Sequence, residues 1–178
     1  AFDGRDLAGL APNRIARMGI GLVPEGRRVF GSLSVEENLI ATARAAAPGV
    51  SGWTIERVHA LFPRLRERRS QSARTLSGGE QQMLAMARAV IGKPRLLLID
   101  EMSLGLAPII VEQLLPVLRS IASETGSGIV LVEQHVGLVL EVADRAYLLS
   151  QGRVVFDGTA AELRDRPELV ESGYLGEA

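Results

Sequence analysis

Along the chain, short continuous apolar runs alternate with stretches in which apolar residues have helical spacing. The runs at residues 19–23, 96–99, 129–132 and 146–149 predict strands. The runs at 96–99 and 129–132 are typical of strands buried on both faces of a parallel sheet. Between the runs, apolar residues recur every three or four positions, which predicts helices. Strands that alternate with helices favour an α/β layered fold.

Capping residues mark where several helices begin. Ser34, Ser77 and Thr159 each precede a glutamate by three positions, which is the capping-box spacing. The predicted helices cover residues 12–18, 34–46, 55–65, 77–91, 108–124 and 136–143, and a last helix begins after Thr159. Gln151-Gly152 predicts a hairpin turn into a strand at 154–156.

Composition narrows the class of protein. The 178 residues fit one domain, and 47% hydrophobic with 23% charged residues is ordinary for a globular protein. Twenty basic against 21 acidic residues do not favour a nucleic-acid partner. No cysteine is present, which excludes disulfides and thiolate metal sites within these residues. The apolar runs are too short to span a bilayer, so we expect membrane association only through a partner.

Three features favour structural roles. The arginines between residues 64 and 69 are interrupted by Glu67 and lack interleaved aromatics, which predicts a solvated face rather than a nucleic-acid or lipid site. The amphipathic helix at 55–65 is explained equally by core packing and by contact with a partner. His59 lies in that helix, and we predict no catalytic role for it.

Two short segments carry candidate chemistry. Ser77-Gly78-Gly79 opens a helix, where free N–H groups and close backbone access form a phosphate-binding surface. Asp100-Glu101 ends a predicted strand, where open α/β sheets place their ligands. An acid there can hold Mg²⁺, and its neighbour can deprotonate a water. The alternatives are an ordinary capped helix and a solvated turn.

Their order and surroundings carry a family resemblance. Leu-Ser-Gly-Gly-Glu-Gln-Gln at 76–82 resembles the signature motif of ABC-type ATPases, and Asp100-Glu101 resembles the Walker B motif. The resemblance implies that Asp100 supports Mg²⁺, directly or through water, and that Glu101 is the general base for ATP hydrolysis. It also implies that four signature residues bind the nucleotide held by a partner subunit: Ser77, Gly78, Gly79 and Glu80.

Two further loops resemble motifs of the same family. Val-Pro-Glu-Gly-Arg at 23–27 occupies the place of the Q-loop, which touches Mg²⁺ and the attacking water. Glu25 replaces the usual Gln, so its electrostatics differ while a cation-binding role is kept. Ser103, Gly105 and Ala107 lie in a segment that resembles the D-loop, which crosses the dimer interface. Ala107 stands where an Asp is frequent.

Val-Glu-Gln-His at 132–135 resembles the switch region of the family. Two residues of this segment are alternatives for the contact with the γ-phosphate. In the family the switch His lies ten residues before the Asp of an Ala-Asp pair. Counting back ten from Asp144 gives Gln134, and His135 is one position further on. His135 also fits as the first residue of the next helix.

No segment matches the P-loop pattern, Gly-x-x-x-x-Gly-Lys-Ser/Thr. In the family this loop precedes a segment like the one with which the chain opens, so we expect truncation before Ala1 and an inactive isolated chain. The expected fold is an α/β, P-loop NTPase-like ABC ATPase that lacks its N-terminal strands and P-loop. Within residues 1–178 we expect a helical subdomain with its connector at about 34–75 and a core at 76–178.

The chain most closely resembles the ATP-binding subunits of branched-chain amino-acid importers. This resemblance rests on three segments: Pro-Glu-Gly-Arg at 24–27, Leu-Gly-Leu-Ala-Pro at 104–108 and Tyr-Leu-Gly at 174–176. Importers of urea and short amides look similar. The resemblance implies ATP and Mg²⁺ as cofactors, a second ATP-binding subunit in a homo- or heterodimer, and membrane permease partners. It implies a cytoplasmic, peripheral place on the inner face of the plasma membrane, without membrane insertion or nucleic acid.

Two other classes of protein stay open at this point. A soluble ABC ATPase of another process usually carries two cassettes or long insertions, and only about fifty residues separate Glu25 from Ser77. The other class is a non-catalytic interaction module without a P-loop. The presence of both Asp100 and Glu101 argues against it, because an unused site need not keep both acids.

Overall fold

The computed structural model describes residues 1–43 and 53–170, and the chain divides into two compact units, Ala1–Val132 and Glu133–Ala178. Strands alternate with helices in the first unit, which confirms the α/β class. Its elements are α1 (Pro12–Arg17), β1 (Ile20–Val23), α2 (Val35–Ile40), α3 (Ile55–Leu61), α4 (Pro63–Glu67), a 3₁₀ turn (Ala73–Thr75), α5 (Gly78–Ile91), β2 (Leu96–Asp100), α6 (Pro108–Thr125) and β3 (Gly128–Val132).

A parallel three-stranded sheet with the order β1-β2-β3 forms the centre of this unit. Val23 lies beside Ile99 in the register of β1 and β2, and Asp100 lies beside Val132 in that of β2 and β3. The carboxyl ends of all three strands therefore meet at one edge. The loops that follow β1 and β2 leave from this edge, as expected for ligand-binding loops of an open α/β sheet.

Within the described residues, other elements cover only one of the two faces of the sheet. The prediction that β3 is a buried strand is therefore wrong. Leu97 and Ile99 are buried, whereas Val130 and Val132 on β3 are 48% and 55% exposed. β3 lies at the sheet edge, and its side chains alternate between the two faces. Leu22 on β1 is likewise 58% exposed. An apolar run has the same composition whether one face or both are covered, so the sequence could not distinguish these cases.

The predicted helix at 55–65 is two helices, α3 and α4, which meet at Phe62. Pro63 causes the break, because proline disfavours helical geometry in the preceding residue and lacks an N–H. Val58, Phe62 and Leu65 are buried, so the apolar positions of this segment belong to the core. The predicted helix 34–46 is observed as Val35–Ile40, and its expected end falls partly outside the described residues.

The second unit is built on an antiparallel hairpin. It contains α7 (Val136–Val139), β4 (Arg145–Ser150), β5 (Arg153–Thr159) and α8 (Ala160–Arg164). The hairpin turn at Gln151-Gly152 is confirmed, with positive φ at both residues. α7 is shorter than the predicted helix 136–143, whose Gly137 and β-branched valines favour helix weakly.

All three predicted capping boxes are present. The side chains of Ser34, Ser77 and Thr159 each accept a backbone hydrogen bond from the residue three positions on, and the glutamate there accepts one in return. Side chains of this kind replace the missing partners of a helix start. Among the described helices, none combines the length and apolar character that a bilayer crossing requires.

Candidate functional site

The start of α5 is a capped helix end with two glycines in its first turn. Ser77 Oγ accepts a bond of 3.4 Å from the amide of Glu80, and the Glu80 carboxylate accepts from the amide of Ser77 at 2.9 Å. The amides of Gly78 and Gly79 open the helix and have no acceptor within it. This end therefore offers directed N–H donors and the partial positive charge of the helix dipole.

Side chains of other elements lie close to both glycines. A methyl group on Gly78 would lie 2.7 Å from Nη1 of Arg27. A methyl group on Gly79 would lie 3.0 Å from Cγ2 of Ile110 in α6. The backbone at the start of α5 thus stays open to an anion while its flanks are occupied by a guanidinium and an aliphatic side chain.

The Glu80 carboxylate is engaged within its own chain. It accepts hydrogen bonds from Ser77 and forms an ion pair with Arg68, whose side chain is 41% exposed. Burial alone would raise the pKa of Glu80, but the Ser77 hydrogen bonds and the Arg68 charge outweigh it, so that the pKa is lowered. Glu80 therefore remains ionised and holds the helix cap. The nucleotide contact predicted for Glu80 stays a prediction.

Asp100 and Glu101 lie where β2 leaves the sheet. The Asp100 side chain is exposed, and the amide of Glu101 donates to the carbonyl oxygen of Val132 at 2.9 Å. Glu101 then turns the chain with φ of 45°, in the left-handed region that costs a non-glycine residue about 1–3 kcal/mol. Such strain concentrates at functional sites. The neighbouring strand keeps Glu101 in this conformation through the Val132 bond.

The loop after Glu101 is held by the loop after β1. Nη2 of Arg27 donates to the carbonyl oxygens of Leu104 at 3.1 Å and Gly105 at 2.9 Å. The predicted D-loop residues have different surroundings, since Ser103 is buried and Ala107 is exposed. Ala107 is also the N-cap of α6 and makes no side-chain cap bond.

The residues at the carboxyl edge of the sheet and at the start of α5 fit a nucleotide with Mg²⁺. Within 1–43 and 53–170, no three His, Cys, Asp or Glu side chains gather into a metal cage. Mg²⁺ bound with a nucleotide requires only one or two carboxylates, because phosphates and waters supply the other ligands. Exposed Asp100 and Glu25 leave adjacent parallel strands at the same edge and suit that need. The donors and glycines at the start of α5 suit a phosphate.

The two switch candidates belong to the second unit. Gln134 and His135 are both exposed, and the carbonyl of Gln134 accepts from the amide of Val136 at 3.0 Å. His135 stands at the N-cap position of α7 without a side-chain cap bond. Which of the two contacts a γ-phosphate stays a prediction.

Sequence reasoning missed the side chains that tie these loops together. Arg88 of α5 donates to the carbonyl of Arg28 at 2.8 Å, and its guanidinium lies 4.0 Å from the ring centroid of Phe30. Buried Asn38 exchanges bonds with the backbone of Phe30. Bonds from a side chain to a distant carbonyl leave no periodic signal. Only the buried position of a polar Asn in an amphipathic helix offered a clue.

Comparison with known proteins supports the family. A family model described as ABC transporter matches residues 1–103. The high-affinity branched-chain amino acid transport ATP-binding protein BraG of Pseudomonas aeruginosa is 47% identical, over 98% of this chain and 74% of its own. The probable branched-chain amino acid transport ATP-binding protein LivF of Archaeoglobus fulgidus is 39% identical, over 91% and 69%. The lipopolysaccharide export system ATP-binding protein LptB of Escherichia coli is 31% identical, over 99% and 73%.

Solved structures agree on the fold. A nucleotide-free ATP-binding cassette from an ABC transporter superposes with a TM-score of 0.76 at 18% identity, covering 96% of this chain and 74% of that one. The ADP conformation of MJ1267, an ATP-binding cassette of an ABC transporter, gives 0.73 at 21% identity, covering 97% and 74%. The family model and the identities of the relatives confirm the resemblance found in the sequence. The chain belongs to the ATP-binding subunits of ABC transporters, the ATPases of that family.

Proposed function

We propose that the chain is the ATP-binding subunit of an importer for branched-chain amino acids. The observation that carries the proposal is the 47% identity with a branched-chain amino-acid transport protein over nearly the whole chain. The start of α5 supports it, because capped donors, two open glycines and the loop after β2 lie side by side. The relative named for lipopolysaccharide export is less similar, at 31% identity.

The start of α5 serves the nucleotide of a second ATP-binding subunit. The amides of Gly78 and Gly79 donate to phosphate oxygens, and Ser77 keeps them aligned by capping the helix. Ser103, Gly105 and Ala107 lie on the loop that meets the partner subunit. Charge-assisted bonds from such preorganised amides strengthen as phosphate charge develops. Nucleotide binding thereby draws the two subunits together.

The carboxyl edge of the sheet serves the chain's own nucleotide. Asp100 would hold Mg²⁺ directly or through water, and Glu25 would assist from the neighbouring loop. When bound there, Mg²⁺ would neutralise charge on the phosphates. Glu101 takes the proton of the attacking water, and its left-handed backbone fixes the direction of its side chain. For the second unit taken by itself, Gln134 or His135 is the proposed contact of a γ-phosphate.

We also propose that residues 1–178 alone bind ATP weakly and do not hydrolyse it. They contain no Gly-x-x-x-x-Gly-Lys-Ser/Thr segment, whose amides and lysine hold the β- and γ-phosphates. The start of α5 does not depend on that segment and can complete the site of a partner that has one.

The proposed place of the subunit is the cytoplasmic face of the membrane, attached through permease subunits. The helices between residues 34 and 69 and the loop of Glu25 are the proposed contact region. Part of that region is core, because Val58 and Leu65 are buried, so the contact falls on its exposed residues.

Uptake measurements test the importer role. The gene that encodes this chain is disrupted, and uptake of radiolabelled leucine and of urea is followed in the same cells. We expect leucine uptake to fall at least tenfold and to return with the unsubstituted gene. Urea uptake is the control for related importers. Loss of urea uptake with normal leucine uptake would contradict the assigned solute.

A further inference from the structure

We propose that Arg27 is a positioning residue that fastens the loop of residues 101–107 to the start of α5. The inference rests on the proposed function, in which both segments face the partner subunit. With Arg27 in place they move as one body, and without it each has to be ordered separately when the partner binds.

The guanidinium of Arg27 touches both segments at once. Its Nη2 atom donates to the carbonyl oxygens of Leu104 at 3.1 Å and Gly105 at 2.9 Å. Its Nη1 atom lies against Gly78, at the point where a methyl group would come within 2.7 Å. A planar guanidinium can bridge two groups in this way, and a flexible ammonium cannot reproduce that fork.

A glycine lies at both ends of this bridge. A methyl group on Gly105 would lie 3.1 Å from Nη2 of Arg27, and Gly105 has φ of 66°. Gly78 accommodates the other end of the same guanidinium. The glycines of the signature and of the following loop thus make room for one cation, apart from any contact that they make with a nucleotide.

The loop that carries Arg27 is itself anchored. Arg27 has φ of 62° after Gly26 with φ of 79°, so two consecutive left-handed residues direct its side chain. Arg88 of α5 holds the next residue, with a bond of 2.8 Å from Nη1 to the carbonyl of Arg28. Arg27 therefore has a fixed base on α5 from which it reaches the loop after β2.

The hydrogen-bond acceptors of the Arg27 guanidinium also favour a positioning role. Within the described residues no carboxylate forms an ion pair with Arg27, and its bonds go to backbone carbonyls. A side chain that serves only solubility does not need a strained backbone and two such bonds. Carbonyl acceptors fix a loop in place without supplying a counter-charge to the guanidinium.

A nitroxide label on Leu104 tests the bridge without nucleotide. The chain has no cysteine, and Leu104 is 52% exposed, so Leu104→Cys gives a single accessible labelling site. Electron paramagnetic resonance of the full chain compares Arg27→Gln and Arg27→Lys with the matched control Arg28→Gln. We expect Arg27→Gln to shorten the nitroxide correlation time by roughly twofold. A label at Ile109 on α6, which is 57% exposed, should not respond.

The second arm measures ATP-dependent association. The full chain is mixed with a complete ATP-binding subunit of the same family whose general base is replaced, and sedimentation velocity gives the affinity with and without MgATP. We expect Arg27→Gln to weaken the ATP-dependent complex about tenfold and Arg28→Gln to leave it unchanged. Arg27→Lys should fall between them, because it keeps the charge and loses the bridge.

The outcomes separate the two proposals. Equal nitroxide mobility in Arg27→Gln and the unsubstituted chain overturns the bridge. The bridge is also overturned if Arg27→Lys matches the unsubstituted chain in both label mobility and ATP-dependent association. A more mobile label with unchanged association overturns its role toward the partner. If the unsubstituted chain shows no ATP-dependent association, the proposed function fails, and the label at Leu104 alone decides whether Arg27 fastens the loop.

Discussion

At the scale of single residues, the loops around the candidate site are ordered by side chains that bond to distant backbone atoms. Buried Asn38 accepts from the amide of Phe30 at 2.9 Å and donates to its carbonyl at 3.0 Å. A buried amide with satisfied bonds specifies one loop conformation, because breaking any bond leaves a polar group without a partner. Asn38 thereby fixes the end of the loop that begins at Glu25.

His59 is a buried histidine that makes stability depend on pH. It is 8% exposed, and its Nε2 atom has no hydrogen-bond partner among the described residues. Burial lowers the pKa of His59 below 6.5; Arg66 and Arg69 lower it further, and Glu36 and Glu56 oppose them. The unfolded chain therefore binds a proton before the folded one does. The free energy of unfolding falls as pH drops below 6.5 toward the folded pKa.

We expect His59→Leu to flatten this dependence. Denaturant unfolding of the chain between pH 7 and 5.5 should show a slope of at most about 1.4 kcal/mol per pH unit from this proton, and the variant should lose it. Glu37, Glu80 and Glu162 have lowered pKa values, so their effect on stability begins below 4.5, outside the window. Exposed His135→Leu is the control. An unchanged slope in His59→Leu would contradict this account.

At the scale of elements, α6 begins without a side-chain cap. Its N-cap, Ala107, has extended geometry with φ of −66° and ψ of 142°, which suits a capping residue. We expect Ala107→Asp to raise the free energy of unfolding by roughly 0.5–2 kcal/mol, because the carboxylate accepts from the first-turn amides and favours the helix dipole. Thermal unfolding measures the gain.

A matched change separates capping from site effects. Ala11 is the N-cap of α1 with φ of −63° and ψ of 142°, and it also lacks a side-chain cap bond. Ala11→Asp should also raise the free energy of unfolding, and it should leave ATP-dependent association unchanged. A lower melting temperature in Ala107→Asp alone would show that the loop before α6 does not tolerate the cap.

How far the sequence predicted these elements depends on whether the cause is local. The caps at Ser34, Ser77 and Thr159 depend on residues three positions apart, and all three are present. The break at Pro63 is also local, but the apolar period of 55–65 concealed it. The bridge from Arg27 to Leu104 spans 77 positions and follows from tertiary packing alone. The motif residues were found by resemblance, and the side chains that position them were not.

At the scale of the whole molecule, we expect ATP to join this chain to a complete partner although the chain alone has no turnover. In the association assay, Gly78→Ala should weaken the MgATP-dependent complex roughly tenfold, because its methyl group meets Arg27 and crowds the open amides. Gly137→Ala is the matched control, since a first-turn methyl group in α7 meets nothing within 4 Å. ATP turnover by the chain alone, abolished by Glu101→Gln, would contradict the proposal of inactivity.

The ion pair between Arg68 and Glu80 has a consequence for the electric field at the start of α5. Glu80 keeps its negative charge in the first turn of the helix, where an unbalanced carboxylate would repel an incoming phosphate. Arg68 offsets that charge through the ion pair, so the carboxylate opposes the partial positive charge of the helix start less than it would alone. An arginine in a segment predicted as a solvated face thus offsets a carboxylate in the first turn of the proposed phosphate-binding helix.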